Sequence, residues 1–139
     1  MYKGLRTRMN RVTYGLCLGL FVAIYAVLIA FAKRPPAVAE IVLLYICVPR
    51  LHDIGLSGWW YGAGILSEIA VVVASIILLP LSEALVPIGF FVLFLLFVLV
   101  WLGLIPGEPG SNRFGERPAP GFSFGKTAQP ASTDLRAFD

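Results

Sequence analysis

The sequence predicts an all-α membrane protein built as a bundle of four transmembrane helices. Three observations lead to this fold class. The 139-residue chain is 58% hydrophobic and 14% charged, with a mean hydropathy of +0.84, whereas a soluble domain averages about 25% charged residues. A soluble protein of this size cannot bury so much apolar surface in one core. Four apolar segments also follow one another along the chain, and basic residues flank them.

The four apolar segments cover residues 14–32, 36–51, 59–80 and 86–105. A helix needs about 20 residues to cross a bilayer, with a range of about 17–25. The first, third and fourth segments are long enough. The second is short and contains Glu40 and Arg50, so whether it crosses fully is the open question.

The distribution of basic residues favours four crossings over three. With four crossings and the N-terminus inside, nine of the 11 basic residues lie on the inner side and two on the outer side. The inner set is Lys3, Arg6, Arg8, Arg11, Arg50, Arg113, Arg117, Lys126 and Arg136, and the outer set is Lys33 and Arg34. Without the second crossing, the same count gives four inside and seven outside. Because Lys and Arg are enriched in cytoplasmic loops, we expect both termini in the cytoplasm.

This topology also places the tryptophans and the tail. Trp59, Trp60 and Trp101 fall near the cytoplasmic ends of their spans and are predicted to be interface anchors. Residues 1–118 form the membrane domain, and residues 119–139, which are polar and without periodicity, are expected to be a disordered cytoplasmic tail.

The first span also resembles a secretory signal peptide, because a basic stretch precedes it and Ala30-Phe31-Ala32 ends it. Its apolar run is longer than the about 7–15 residues of such peptides, and prolines follow at 35 and 36. We therefore expect the span to be retained.

Small residues predict which helix faces meet. Gly15, Gly19 and Ala23 follow one another at four-residue spacing, which allows close helix approach. The fourth span is crowded with phenylalanines and is expected to face lipid. The contrast predicts a core made by the first three spans, although the same small-residue face fits a homo-oligomer equally well.

The segment RLHDIGLSGWW is predicted to be the hairpin between the second and third helices. Arg50 and His52 favour the C-terminal carbonyls of a helix. Gly55 supplies the left-handed residue that ends it, and Ser57 is a good N-cap for the next. Only Asp53 lacks a local structural role.

Catalysis, cofactors and metal binding are not expected. His52 and Asp53 are adjacent in sequence, adjacent helical residues do not face each other, and no nucleophile motif accompanies them. Cys17 and Cys47 lie in apolar runs, and with one histidine they cannot supply the four ligands of a zinc site. No nucleic-acid motif accompanies the net charge of +3, so no nucleic-acid partner is expected.

Three stretches of the sequence resemble a known family. They are the first motif, residues 8–14 (RMNRVTY), the middle motif, residues 50–60 (RLHDIGLSGWW), and the third motif, residues 106–115 (PGEPGSNRFG). They are similar to the basic helix entry, the R-L-H-D-x-G-x-S-G-W-W signature and the P-G-x-x-G-x-N-R-aromatic-G turn of the bacterial inner-membrane family catalogued as domain of unknown function 805. The resemblance implies a small multispan protein of the bacterial inner membrane, and it leaves the biochemical activity open.

In the four-span topology, the three motifs lie on the same side of the membrane. They would form a polar cluster at the cytoplasmic interface, consisting of Arg8, Asn10, Arg11, Arg50, His52, Asp53, Asn112 and Arg113. We expect Asp53, the only acid of the middle motif, to pair with arginines of the other two motifs, since Arg–carboxylate pairs are strong and can be bidentate. The alternative is that Asp53 caps its own turn.

The arginines of the polar cluster outnumber Asp53, and guanidinium groups also bind phosphate. The sequence therefore predicts a non-catalytic structural or binding protein whose polar cluster engages lipid headgroups or a protein partner. Anionic phospholipid is the expected ligand, because these residues lie at headgroup depth.

Glu68 supports an alternative function. It lies about nine residues, or roughly 13 Å, into the third span, and an intramembrane acid is a functional-site hypothesis by default. Together with Glu40 it fits a small transporter or channel subunit. The competing interpretation is a protonated Glu68 bonded to Tyr45, Ser75 or a backbone carbonyl, since no further polar residues continue a path through the bilayer.

Overall fold

The computed structural model describes residues 7–32 and 38–123, and they form four α-helices with short connections. The helices are α1 (Arg11–Ala32), α2 (Ala39–Asp53), α3 (Trp59–Leu78) and α4 (Leu81–Leu104). Within these residues there is no β-strand, and an isolated bridge joins Asn112 and Gly115. The predicted all-α class is confirmed.

Three of the helices are long and apolar enough to cross a membrane. α1, α3 and α4 contain 22, 20 and 24 residues, which at 1.5 Å per residue gives about 30 Å or more, the thickness of the hydrocarbon core. α2 contains 15 residues, or about 22 Å. With α1, α3 and α4 of spanning length, the chain is a multi-pass membrane protein. α2 is too short to cross the hydrocarbon core on its own.

The helices do not follow the apolar segments residue for residue. α2 continues to Asp53 beyond the apolar segment, and α4 begins at Leu81, five residues before the predicted span. Polar residues fit the end turns of a helix although they do not fit a hydrocarbon span. Glu83, for instance, lies in the first turn of α4, where the helix dipole favours a negative charge.

Most of the buried residues gather at one end of the bundle, which we call the motif end; Ser75 and Ala84 are buried near the other end. Here α1 begins, α2 ends, α3 begins and α4 ends. The Met9 amide donates to the Pro49 carbonyl at 3.0 Å, and the Tyr14 hydroxyl donates to the Leu99 carbonyl at 2.9 Å. The hydrophobic core at this end consists of Met9, Tyr14, Ile46, Cys47, Leu51 and Leu102. The four helices therefore run alternately away from the motif end and back to it.

Away from the motif end, the helices are largely exposed. The apolar window of α1 has 0% of its residues buried, and those of α3 and α4 have 6%. A Cβ added at Gly15 or Gly19 would meet no atom within 4 Å, so the small-residue face of α1 does not pack inside the chain.

The expectation that the fourth helix stays outside the core is wrong. α4 contacts each of the other three helices. Its last turns carry the core residue Leu102 and also Gly103, where an added Cβ would lie 3.2 Å from the Tyr14 ring. The phenylalanines lie earlier in α4, and three of them, Phe90, Phe94 and Phe97, are exposed. Lipid-facing and packed residues thus occupy different stretches of one helix.

Part of the topology prediction lies outside the described residues. This applies to residues 124–139 of the predicted tail and to six of the basic residues in the charge count: Lys3, Arg6, Lys33, Arg34, Lys126 and Arg136.

Candidate functional site

Asp53, the last residue of α2, is the centre of the polar cluster. Its Oδ2 accepts a hydrogen bond from Arg50 Nη1 at 2.6 Å, and its Oδ1 accepts one from Arg8 Nε at 3.1 Å. The side chains of Arg8, Arg50 and Asp53 are 1%, 0% and 5% exposed. We call these three residues the ion-pair triad. An arginine of another motif, Arg8, thus lies within ion-pair distance of Asp53, as the sequence hypothesis requires.

Burial makes the ion-pair triad interdependent. Removing charges from water is unfavourable unless opposite charges and hydrogen bonds compensate. Burial raises the pKa of the Asp53 carboxyl, whereas the charges of Arg50 and Arg8 act in the opposite direction. The ionised carboxylate therefore depends on both guanidinium groups.

Arg50 connects α2 to the end of α4 and to the chain before α1. Its Nε donates to the Leu102 carbonyl at 3.0 Å, and its Nη2 donates to the Ile105 carbonyl. Its Nη1 also reaches the Met9 carbonyl at 3.4 Å. The last carbonyls of a helix have no intrahelical donors, so a buried cation is favourable at the end of α4.

Arg8 connects the first motif to the third. Its Nη2 donates to the Glu108 carbonyl at 2.7 Å, and its Nη1 donates to the carbonyls of Gly110 at 2.5 Å and Gly115 at 3.3 Å. Arg8 also contacts Asp53, so one side chain links the start of α1, the end of α2 and the turn after α4. Its planar fork of donors is suited to such multiple contacts.

The third motif forms a tight turn against the middle motif. The Glu108 amide donates to the Asp53 carbonyl at 2.9 Å. Asn112 Nδ2 donates to the His52 carbonyl at 2.9 Å, and Asn112 Oδ1 accepts from the Phe114 amide at 2.9 Å. Arg113 lies at the surface and donates to the Gly55 carbonyl at 3.0 Å, so it does not reach Asp53.

Two glycines allow the middle and third motifs to meet. Gly55 has φ +79°, and its amide and the following one bond back to His52 and Leu51, which ends α2 as a Schellman motif. This is the left-handed helix stop that the sequence predicts. A Cβ at Gly107 would overlap the Asp53 carboxylate, so only glycine fits there.

The start of α3 differs slightly from the prediction. The N-cap position is Gly58, one residue after the predicted Ser57. Ser57 Oγ still accepts a hydrogen bond from the Trp59 amide, at 3.4 Å. A Cβ at Gly58 would lie 2.9 Å from Val48 Cγ1, so close packing against α2 explains a glycine at this position.

His52 takes part in an aromatic stack. Its ring lies 3.9 Å from the Phe114 ring with an interplanar angle of 8°, and the Arg113 guanidinium lies 4.7 Å from the centre of the same Phe114 ring. Burial lowers the pKa of the His52 imidazole and the charge of Arg113 adds to this effect, whereas a hydrogen bond with the backbone of Thr7 acts in the opposite direction. In this arrangement His52 faces Phe114, while both Asp53 oxygens face arginines.

Asn10 has two roles that link α1 to the chain after the third motif. Its Oδ1 accepts from the Thr13 amide at 2.8 Å and so caps α1. Its Nδ2 donates to the carbonyls of Ala119 and Gly121, both at 2.7 Å. The Ser123 amide donates to Thr13 Oγ1 at 3.0 Å. Residues 119–123, part of the predicted tail, are thus in contact with the start of α1.

The remaining predicted residues lie at the surface. Arg11 is exposed, and its side chain makes no hydrogen bond or ion pair with residues 7–32 and 38–123. Trp59, Trp60 and Trp101 are also exposed, and all three lie towards the motif end, where interface anchors are expected.

Glu40 and Glu68, the two acids of the second and third predicted spans, lie apart from the polar cluster. Tyr61 on α3 donates its hydroxyl to the Glu40 carbonyl at 2.8 Å and to Glu40 Oε2 at 3.1 Å. Glu68 is half-buried on α3. Ser75, one of the expected partners of Glu68, donates to the Val71 carbonyl instead.

Fold and site together define a class of protein: a multi-pass membrane protein whose helices meet at one end through a buried ion-pair triad. The family model described as "Protein of unknown function (DUF805)" matches residues 35–116. This is more than half of the chain, and the chain belongs to that family. The match includes the middle and third motifs, so the resemblance noted in the sequence is confirmed. No curated protein and no solved structure matches the chain.

Sequence reasoning missed three contributors to the site. Glycine is needed at position 107 for a steric reason, and that reason is visible only when the position of Asp53 is known. The contact of Tyr14 with Gly103 joins residues far apart in the chain. The segment 119–123 has no periodic pattern that would mark a packed element. Asn10, directly before the first apolar run, is a recognisable N-cap signal, but the sequence does not show that its amide also binds this segment.

Proposed function

We propose that this protein is a non-catalytic structural or binding protein of the bacterial inner membrane. In this proposal, the chain crosses the membrane four times with both termini in the cytoplasm. The ion-pair triad holds the helices together at the cytoplasmic interface, and exposed arginines at the same end engage anionic phospholipid headgroups.

The observation that carries the topology is that α1 begins and α4 ends at the motif end. Three helices of spanning length, α1, α3 and α4, would leave the end of α4 on the opposite side from the start of α1. A fourth crossing restores the same side. α2 falls about 10 Å short of α1 at 1.5 Å per residue, and the six residues 33–38 are long enough to cover that difference.

The non-catalytic role is supported by the way the reactive side chains are used. Asp53 accepts from Arg8 and Arg50 through both of its oxygens. His52 is stacked on Phe114. A general base or nucleophile needs access to a substrate, and these contacts leave little access to either group.

The lipid-binding role rests on arginines other than those of the ion-pair triad. Arg8 and Arg50 donate to protein carbonyls and to Asp53. Arg11, Arg113 and Arg117 are exposed at the motif end. Basic residues at the cytoplasmic surface attract anionic lipids by about 1 kcal/mol each, so these three are the residues from which we expect headgroup selectivity.

The topology is tested by labelling a Ser57→Cys variant with a membrane-impermeant maleimide, with the wild-type protein as the background control. We expect labelling only after the cells are opened, since Ser57 lies in the α2–α3 hairpin. Labelling of intact cells would place the hairpin outside and contradict four crossings with a cytoplasmic N-terminus.

The lipid selectivity is tested with a variant that combines Arg11→Gln, Arg113→Gln and Arg117→Gln. The matched control combines Lys33→Gln and Arg34→Gln, which removes charge on the predicted outer side. Native mass spectrometry compares binding of phosphatidylglycerol and phosphatidylcholine. We expect the triple variant to lose the preference for phosphatidylglycerol and the control to keep it. If the wild-type protein shows no preference for phosphatidylglycerol, the lipid-binding role is wrong. A protein partner would then be the remaining ligand for these arginines.

A second candidate function is transport, and it is favoured by two acids in the predicted spans, Glu68 on α3 and Glu40 on α2, of which Glu40 accepts a hydrogen bond from Tyr61 of α3. Charged groups inside a membrane often mark proton or ion pathways. A proton-flux assay in proteoliposomes compares wild type with Glu68→Gln. Transport predicts a flux that the substitution abolishes, and equal flux in both proteins argues against it.

A further inference from the structure

Residues 111–115, which we call the tip of the third motif, pack on His52 near the end of α2. The Phe114 ring lies parallel to the imidazole, with the ring centres 3.9 Å apart and an interplanar angle of 8°. Asn112 Nδ2 donates to the His52 carbonyl at 2.9 Å. Both the side chain and the backbone of His52 therefore hold the tip.

The part of the third motif before the tip is held without the imidazole. The Glu108 amide donates to the Asp53 carbonyl at 2.9 Å, and the Glu108 carbonyl accepts from Arg8 at 2.7 Å. Arg8 also reaches the Gly115 carbonyl of the tip, at the longer distance of 3.3 Å. Within the tip, Asn112 and Gly115 exchange two backbone hydrogen bonds, at 2.9 and 3.0 Å. The tip is thus a closed turn that can leave α2 as a unit while the preceding residues stay in place.

The surroundings of the imidazole are unfavourable for a positive charge. His52 is 6% exposed, and its Nδ1 is buried without a hydrogen-bond partner among residues 7–32 and 38–123. In a neutral imidazole one nitrogen carries no proton, whereas in an imidazolium both nitrogens are donors. Protonation would therefore leave Nδ1 as a buried donor without an acceptor, which is unfavourable.

The charged groups next to His52 do not compensate for its protonation. They are Arg50 and Asp53 on α2, Arg8 in the chain before α1, and Glu108 and Arg113 in the third motif. From α3, the uncharged Gly58 approaches the ring. Asp53 is bound by both arginines of the ion-pair triad, and Glu108 accepts from Asn112. Among the described residues, no carboxylate lies within ion-pair distance of His52.

The direction of the pH effect follows from these surroundings. Burial and the charge of Arg113 lower the pKa of His52 in the docked state, and a hydrogen bond with the backbone of Thr7 raises it by less than burial lowers it. When the tip leaves, the ring meets water and its pKa returns towards the ordinary value of about 6.5. Below that pH the released state binds more protons than the docked state, so acid favours release. Above it, the docked state is favoured.

We propose that protonation of His52 releases the tip from α2, so that the motif end opens when its side of the membrane becomes acidic. Release separates the Phe114 ring from the imidazole and the Arg113 guanidinium from the Gly55 carbonyl. This inference goes beyond the proposed function, because it assigns a proton-responsive contact to the polar cluster and requires no bound lipid.

The proposal is tested by NMR of the full-length protein in mild detergent, labelled with 13C- and 15N-histidine. His52 is the only histidine, so with a purification tag that lacks histidine the ring signals belong to this residue alone. A ring stacked on Phe114 also shows an upfield ring-current shift. We expect the ring to titrate with a midpoint below the ordinary value of about 6.5, and the ring-current shift to disappear with the same midpoint. A midpoint at or above the ordinary value, or a ring-current shift that persists in the protonated form, would overturn the proposal.

Circular dichroism over the same pH range separates local release from unfolding. The four helices do not depend on the tip, so we expect an unchanged helical signal. Loss of the helical signal with the same midpoint would mean that the whole protein unfolds, and the local device would be wrong.

Two arginine variants test the contact from the side of the tip. The Arg113 guanidinium lies 4.7 Å from the centre of the Phe114 ring and acts on His52, whereas Arg117 is an exposed arginine beyond the tip. Arg113→Gln should raise the midpoint of His52, and the matched control Arg117→Gln should leave it at the wild-type value. Equal midpoints in the two variants would contradict the docking of the tip on His52. The wild-type titration decides the proposal even if a variant fails to fold.

Discussion

The motif end and the middle of the bundle are held together in different ways. At the motif end, Asp53 and Arg50 are almost fully buried and hydrogen-bonded to three parts of the chain. In the middle of the bundle, long apolar side chains point outwards, and Gly15 and Gly19 face open space. One region has specific polar contacts, and the other has a surface suited to lipid.

This difference follows from the solvent. In a bilayer, burying apolar side chains between helices gives little gain, because lipid tails are equally apolar. Helix association then depends on packing and on polar contacts. The three motifs supply those contacts at one end, so we expect stability to be sensitive to substitutions there and tolerant of apolar substitutions in the middle.

The largest effect is expected from Arg50→Met. The change removes one partner of Asp53 and leaves the carbonyls of Leu102 and Ile105 without this donor. Breaking a buried ion pair costs about 3–5 kcal/mol, so thermal unfolding in mild detergent should occur at a much lower temperature. The control is Arg117→Met, an exposed arginine whose one described hydrogen bond is a 3.5 Å contact to the Pro109 carbonyl. Similar melting temperatures for both variants would show that the buried contacts of Arg50 stabilise the motif end no more than an exposed arginine does.

Gly107→Ala should have the next largest effect. The added methyl group would overlap the Asp53 carboxylate, and overpacking in a well-packed site costs about 1–3 kcal/mol. Gly110→Ala is the matched control in the same turn, because a Cβ there meets no atom within 4 Å. The melting temperature of Gly107→Ala should fall while that of Gly110→Ala stays near wild type. The reverse order would show that the turn does not pack against Asp53.

Asn10→Ala should have a smaller effect. Loss of an N-cap costs about 1 kcal/mol, and the substitution also removes the hydrogen bonds to Ala119 and Gly121. Asn10→Asp keeps an acceptor for the Thr13 amide but removes the Nδ2 donors, so it separates the two roles. We expect limited proteolysis to cleave near residues 119–123 faster in both variants, and only Asn10→Ala to lose the cap contribution. Unchanged proteolysis would mean that Asn10 does not hold this segment.

The smallest effect is a dependence of stability on pH. The pKa of His52 is lowered in the folded protein, so below its ordinary value of about 6.5 the unfolded chain binds more protons than the folded one. Folding stability should therefore fall as the pH drops from about 7 towards 5.5. His52 is the only histidine, and His52→Gln should flatten this part of the curve. An equally steep curve in the variant would assign the effect to other groups.

The sequence predicted the helices and an arginine partner for Asp53. It did not predict which backbone carbonyls the arginines bind. Composition and apolar segments give the all-α membrane class because they depend only on local hydrophobicity. The helix-ending role of Gly55 is also local. The pairing of Arg8 with Asp53 follows from the four-span topology, which places the first and middle motifs on the same side of the membrane, and from the fact that Asp53 is the only acid of the middle motif.

Long-range backbone contacts could not be predicted. Arg50 and Arg8 donate mainly to carbonyl groups, and every residue has a carbonyl, so the sequence gives no signal for which ones are used. The predicted surplus of guanidinium groups therefore does not include Arg8 and Arg50, which donate to Asp53 and to backbone carbonyls. The role of α4 in the core was missed for a similar reason, since its packed residues occupy only the last turns of an otherwise lipid-facing helix.

A double-mutant cycle between Arg8 and Asp53 tests the central claim most directly. The melting behaviour of Arg8→Gln, Asp53→Asn and the double variant is compared with wild type in the same mild detergent. If the pair joins the first and middle motifs, each single variant is strongly destabilised. The double variant then loses less than the sum of the two, with a coupling energy on the order of 0.5–3 kcal/mol. Additive losses, or single variants as stable as wild type, would contradict the account.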